Sequence, residues 1–309
     1  MRPKHQLKWL LMLLLAVGCQ QQNTPRTTLR SAYYWSTEWR GEPRVMEQIK
    51  GLDRLYLRFF DVVLDRNGEP MPNATLRFSA KLPRKVEVVP VVFIVNDVMK
   101  NVKNTDELAG KVLRRILQIS ETHDIEVKEV QIDCDWTLTS RRNYRAFLSQ
   151  LRRLAAAKQL ALSATIRLHQ LSQPVPPVDK GVLMMYNTGD FTDLRCEHPI
   201  LDLRDVVPYL KHLSGYRLPL SPAYPLFSYR LLFRNGHYKG VLHADNDLPV
   251  LPGDSVIERK VSMGEVLKVK QTIEEIRPDL KRETIIYDFS PNHIANYKPR
   301  DYEEIYCSH

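Results

Sequence analysis

Asp133 and Asp135 are, by type and spacing, the residues of this chain best suited to acid–base or charge-stabilising chemistry. They close the stretch EVQIDCDWT (residues 129–137), whose apolar, β-branched opening reads as a buried strand. Side chains alternate along a strand, so both carboxylates face the same way. Two acids on one buried face are costly unless something pairs or uses them. Cys134 points to the opposite face and reads as an apolar filler. An amphipathic helix follows over residues 140–158. An acid-tipped strand running into a helix is how a β/α barrel presents its active-site face.

Other strand ends supply further candidates. Glu38 follows a first strand, Arg58 and Asp61 close a second, Arg167 closes a fifth and Asp288 closes an eighth. Arg58 and Arg167 are also natural ion-pair partners for the two aspartates, a role compatible with a place in a site. If a glycosidic bond is the target, two carboxyls must stand about 5–5.5 Å apart for retention or about 6.5–9.5 Å for inversion. Asp135 is therefore to be compared with Glu38, Asp61 and Asp288. Trp35, Trp136, Tyr186 and Tyr229 lie near strand ends, with Asn187 beside Tyr186. Aromatic rings of this kind cover the flat C–H faces of sugars while offering a polar edge. Tyr34 reads as core. His169, beyond Arg167, is an acid–base candidate but reads first as a hydrogen-bonded loop residue. Ser163 and Ser228 lack a nucleophile-elbow context, which argues against a serine hydrolase.

These positions need a scaffold that gathers strand ends. Strands are expected at residues 31–39, 55–62, 86–95, 127–136, 161–168, 182–187, 216–224 and 284–289, with helices at 44–50, 105–121, 140–158, 203–213, 263–276 and 301–307. The near-continuous apolar run VEVVPVVFIV is the mark of a central parallel strand, although Pro90 is an irregularity within it. A hairpin-like excursion is expected after the second strand. Another follows the seventh, turning at Asn235-Gly236. The fold class is α/β, a (β/α)8 TIM barrel occupying residues 29–309 as one domain. An open doubly wound sheet is the alternative, but none of the 12 glycines falls as GxGxxG.

Composition narrows the function classes. Hydrophobic content of 43% and charged content of 26% are those of a globular protein. Residues 1–18 read as a signal peptide: Arg2, Lys4 and Lys8 precede an apolar run too short for a permanent span. Gly18-Cys19 resembles a lipoprotein lipobox, in which Cys19 becomes the lipidated first residue, followed by a polar tether over residues 20–28. Cleavage leaves 42 Lys and Arg against 36 acidic residues, a mild excess with no aromatic-interleaved basic stripe. Nucleic-acid binding is not expected. Cys196 and Cys307 are open to a disulfide in an oxidising periplasm. No CxxC or His/Cys cluster suggests a metal, and no cofactor is expected.

Strands four to six resemble family-18 glycoside hydrolases, the chitinase-like barrels. That family carries DxxDxDxE on strand four; here its two later aspartates fall on Asp133 and Asp135 and its aromatic on Trp136. Met184-Met185-Tyr186-Asn187 is similar to the family's strand-six motif, and Pro225 with Phe227-Ser228-Tyr229 to its aromatic floor. Two positions depart: the first aspartate falls on Val130, and the proton-donating glutamate on Thr137, which cannot protonate a leaving group at neutral pH. The chain also resembles barrel lipoproteins of gut-type Bacteroidetes that share the Asp-x-Asp strand ending. The resemblance implies an envelope-anchored, glycan-directed barrel. Such a barrel either hydrolyses with a non-standard acid or holds a glycan without cutting it. A purely structural envelope protein is the third class, and it requires no open cleft at the strand ends.

Overall fold

The structure, a computed structural model, describes residues 28–242 and 248–307. Cys19, the expected lipidation site, lies outside them. Eight parallel strands form the centre: β1 (Leu29–Tyr34), β2 (Arg54–Leu64), β3 (Glu87–Ile94), β4 (Glu129–Asp133), β5 (Ala161–Arg167), β6 (Lys180–Met184), β7 (Leu220–Pro225) and β8 (Glu283–Tyr287). Each pairs with the next, and β1 pairs with both β8 (Leu29↔Glu283) and β2 (Ser31↔Arg54). That last ladder closes the barrel and excludes the open doubly wound sheet.

The helices pack outside: α1 (Pro43–Ile49), α2 (Thr105–Thr122), α3 (Arg141–Ala156), α4 (Leu203–Leu210), α5 (Met263–Ile276) and α6 (Pro299–Tyr306). Each buries one stripe against the outward-facing strand residues. In α2 these are Leu108, Ala109, Val112, Leu113 and Ile116, the 3.6-residue spacing of an amphipathic helix. Its cap is Asn104, whose side chain accepts from the Glu107 N–H. Between β2 and β3 the chain makes no helix. It adds Pro70–Asn73 antiparallel to β2 and pairs Arg77–Phe78 with Glu38–Trp39. After β7, Ser228–Arg234, His237–Val241 and Ser255–Lys260 form a separate antiparallel sheet. The seventh strand is shorter than expected, because residues 213–219 turn, with Tyr216 N–H donating to Leu213 C=O. Pro90 pairs with Leu57 on the β2 side, one residue below the first β4 partner at Val91, beside a bulge between Arg58 and Phe60.

The barrel interior is layered. Tyr33, Tyr56, Val89, Val91, Val182, Met184, Ala223 and Ile285 fill the middle. Below them, toward the N-terminal ends, lies a buried ionic layer. Glu283 accepts from Ser31 Oγ (2.7 Å), Ser221 Oγ (2.7 Å), Tyr56 OH (3.1 Å) and Lys180 Nζ (2.8 Å). Lys180 also reaches Glu129 (3.5 Å), as does Arg54 (3.3 Å). Burial opposes ionisation of Glu283, yet Lys180 and the hydroxyls hold its carboxyl below the usual range. The floor of the barrel is thus a polar plug, and the C-terminal end is left for a site. Cys134, Cys196 and Cys307 are free thiols; Cys134 is buried, as its outward parity suggests.

Candidate functional site

At the C-terminal mouth, Asp133 and Asp135 share one guanidinium. Arg167 donates from Nε to Asp135 Oδ1 (2.6 Å) and from Nη2 to Asp133 Oδ1 (3.1 Å). Asp133 also accepts from Thr165 Oγ1 at 2.6 Å. The two acids differ in environment: the Asp133 side chain is 7% exposed and that of Asp135 60%. Burial pushes the Asp133 carboxyl above its usual range, and Asp135 and Asp61 add to this against the pull of Arg167. Burial alone would lower the Arg167 pKa, but Asp133, Tyr186 and Asp135 more than offset it, so this guanidinium stays charged. The arrangement clamps Arg167 in one orientation at the centre of the mouth. It leaves Asp135 open to solvent near His169, whose pKa is lowered by partial desolvation and by Arg167.

An aromatic floor surrounds this clamp. Tyr186 stacks on Tyr287 (4.7 Å between ring centroids, 26°), and Phe227 meets both edge-on. Trp35 contacts Tyr287 (5.8 Å) and Phe93 (6.4 Å) on the far side. Tyr229 packs on Phe227 and donates its hydroxyl to Asn187 Oδ1 (3.0 Å). Asn187 sits at φ 54°, a left-handed conformation that asparagine tolerates better than most residues. Trp35, Tyr186, Asn187 and Tyr229 are therefore gathered with Asp133, Asp135 and Arg167 at one end of the barrel.

Arg58 does not reach the aspartates of β4. It makes a two-pronged ion pair with Asp61 and lies over Trp35, 5.4 Å from the ring centroid. Asp288 accepts from His293 Nδ1 and Ser290 Oγ, and His293 leans on Phe227. Burial opposes protonation of His293, but Asp288 raises its pKa above the ordinary value.

Two of the sequence candidates stand elsewhere. Trp136 is 8% exposed and stacks on Tyr144 of α3, on the outer side of the barrel wall. Glu38 belongs to the side sheet beyond β1, where Arg77, Ser79 and Arg40 surround its carboxylate. Their hydrogen bonds, that of Arg77 foremost, bring its pKa down to about 2. Glu38 is thus ionised and engaged, so it is not a proton donor for Asp135 to work with. Glu38→Gln is expected to leave ligand binding within about twofold of wild type and the melting temperature little changed, as for ion pairs at the protein surface. Calorimetric titration and a melting curve check both.

Thr137, at the position of the family's acid, is tied into a loop network. Its N–H donates to Ser140 Oγ (2.9 Å), and its hydroxyl contacts Thr139 Oγ1 (2.9 Å) and Asn96 Nδ2 (3.4 Å). Phe93, Thr165, Tyr287 and His293 are mouth residues that sequence reading did not select. Phe93 and Tyr287 carry the period-2 signal, since each continues the inward set of its strand (Val89, Val91; Ile285).

No family model matches the sequence, and a sequence search of curated proteins finds no match. Comparison of the fold with solved structures does find relatives. A chitinase from Chromobacterium violaceum ATCC 12472 superposes with a TM-score of 0.59 at 12% identity, covering 91% of this chain and 100% of that one. A plant class V chitinase mutant from Cycas revoluta, solved in complex with (GlcNAc)3, gives 0.57 at 12% identity, with 91% and 100% covered. The Bacillus cereus spore cortex-lytic enzyme SleL gives 0.57 at 13% identity, covering 90% of this chain and 73% of that one. The fold is a chitinase-like TIM barrel, similar in its whole architecture to these structures.

Proposed function

We propose that this chain is a lipid-anchored barrel of the bacterial cell envelope. It binds an oligosaccharide at its mouth and does not cleave it by the route of the family it resembles. The observation that carries the second clause is the Asp133–Arg167–Asp135 clamp, with Thr137 at the acid position. The route of that family is substrate-assisted and draws its proton from the acid on strand four, not from a pair of carboxyls. Here both β4 acids face a cation, and no carboxyl stands at residue 137. What supports the first clause is the half-buried floor of Trp35, Tyr186, Tyr229 and Tyr287, together with the open oxygen of Asp135. Such a floor offers flat apolar faces, and the clamp offers fixed donors and acceptors for hydroxyl or amide groups. Anchoring through Cys19, on the outer membrane or the periplasmic face, follows from the lipobox-like start of the chain. The fold relatives are chitinases and a cortex-lytic enzyme, so N-acetylglucosamine oligosaccharides are the first ligands to try.

The test is titration of such oligosaccharides, alongside neutral glucans and galactans, into the mature chain. Saturable binding is expected, weakened about 5- to 30-fold by Tyr186→Ala, since an aromatic platform contributes roughly 1–2 kcal/mol. If no saccharide binds, or Tyr186→Ala binds as wild type does, the reading fails. A hydrolytic reading is favoured by one observation, the Asp288–His293 pair, which holds a protonatable imidazole against Phe227 beside the floor.

A further inference from the structure

A group of exposed basic side chains lies at the end of the barrel opposite the mouth. The loops that lead into the strands carry Lys81, Arg84 and Lys85 before β3, Lys158 before β5, and Lys211 and Arg217 before β7. All six are exposed, and none has an ion-pair partner among the described residues. The carboxylates of the same loops are mostly engaged. Asp53 accepts from the Arg30 N–H (2.8 Å), Asp179 pairs with Arg152 (2.6 Å), and Asp279 pairs with Arg277 (3.0 Å). Glu126 lies 3.6 Å from Lys128, and Asp124 is the open carboxylate of these loops among the described residues. Lys81, Arg84 and Lys85 line a cleft of ≈ 1090 Å³ whose wall includes the stacked pair Phe78 and His123.

The start of the chain leads to the same end. β1 begins at Leu29 at the foot of the barrel, so residues 20–28 separate Cys19 from this face. At about 3.3–3.6 Å per residue, the chain from Cys19 to Leu29 spans no more than roughly 36 Å. A lipid on Cys19 therefore holds the basic face, and not the mouth, within a few Debye lengths of a bilayer.

We propose that the N-terminal face of the barrel, centred on Lys81, Arg84 and Lys85, rests on the anionic phospholipid headgroups of the membrane and turns the mouth outward. The proposal rests on the envelope-anchored reading for its setting, but the attraction itself is between fixed cations and an anionic surface and needs no lipid on the protein. Clustered basic residues near such a surface each add to the partition coefficient, and the effect is screened by salt.

The test separates the two. The mature chain bearing Cys19→Ser is sedimented with vesicles of phosphatidylglycerol and phosphatidylcholine in equal parts, or of phosphatidylcholine alone. Binding to the anionic vesicles only is expected, lost at high salt and reduced on the order of 100-fold by Lys81→Glu, Arg84→Glu and Lys85→Glu together. The melting temperature of that variant checks that it is folded. Lack of binding to anionic vesicles, equal binding to neutral ones, or a folded triple variant that binds as wild type does would each overturn the proposal. So would retention by a soluble polyanion such as heparin without vesicle binding. Loss of lipid labelling in cells on Cys19→Ala tests the anchor separately, and its failure leaves the vesicle result standing.

Discussion

Arg167→Met is expected to destabilise the protein by about 3–5 kcal/mol, the usual consequence of removing one partner of a buried ion pair. The melting temperature should fall by roughly 5–10 °C. Methionine fills much of the space but leaves Asp133, 7% exposed at its side chain, with Thr165 as its remaining hydrogen-bond partner. The sign is fixed by desolvation: burial already pushes the Asp133 carboxyl up, and Arg167 is the largest force opposing it. Asp133→Asn in the same background should recover a good part of the loss, because the uncompensated charge is gone. The double-mutant cycle then gives a coupling of about 1–3 kcal/mol. If Arg167→Met melts as wild type does, Arg167 is not clamped and the mouth is arranged otherwise. The same variant should lose glycan binding, but stability is the cleaner readout because it needs no ligand.

The second large effect lies at the other end of the barrel. Lys180→Met removes the closest cation from Glu283, which is 4% exposed, and the second cation beside Arg54 from Glu129, and should cost about 3–5 kcal/mol at neutral pH. The pH dependence distinguishes this from a packing defect. In the wild type the folded-state carboxyl of Glu283 is depressed below its ordinary 4.5. Its contribution is therefore fully present above that value and is lost as pH falls through the folded pKa. The variant lacks that contribution, so the gap in melting temperature between the two proteins should be widest near neutrality and narrow below about pH 4. A gap that stays constant with pH would mean that the lysine acts only through its methylenes.

Much of this architecture is written in local patterns. The apolar runs of β3 and β4, the amphipathic stripe of α2 and the Asn235-Gly236 turn each specify their element without reference to the rest of the chain. The inward parity that pairs Asp133 with Asp135 also places Cys134 and Trp136 on the outer side. Carried one residue past Asp135, the same alternation is enough to take Trp136 out of the site. Glu38 is different. Its neighbour Arg77 belongs to an excursion 39 residues later, and no local signal foretells a two-residue sheet between them. The choice between Arg58 and Arg167 as partner of the β4 acids is likewise set by strand adjacency. β5 lies beside β4, whereas β3 intervenes between β4 and β2. The threonine at residue 137 is legible in the sequence, and what it leaves behind is not. That a guanidinium occupies the space between the two aspartates depends on a side chain 32 residues away.

The most direct test of the central claim is to incubate the mature protein with the oligosaccharide it binds best and follow the sugar by mass spectrometry. The clamp of Arg167 on Asp133 and Asp135 predicts that the ligand is recovered intact after many multiples of its residence time. Shorter saccharides, formed by the wild type and lost in Asp135→Asn or His293→Gln, would contradict that prediction and make the barrel a hydrolase with a non-standard acid.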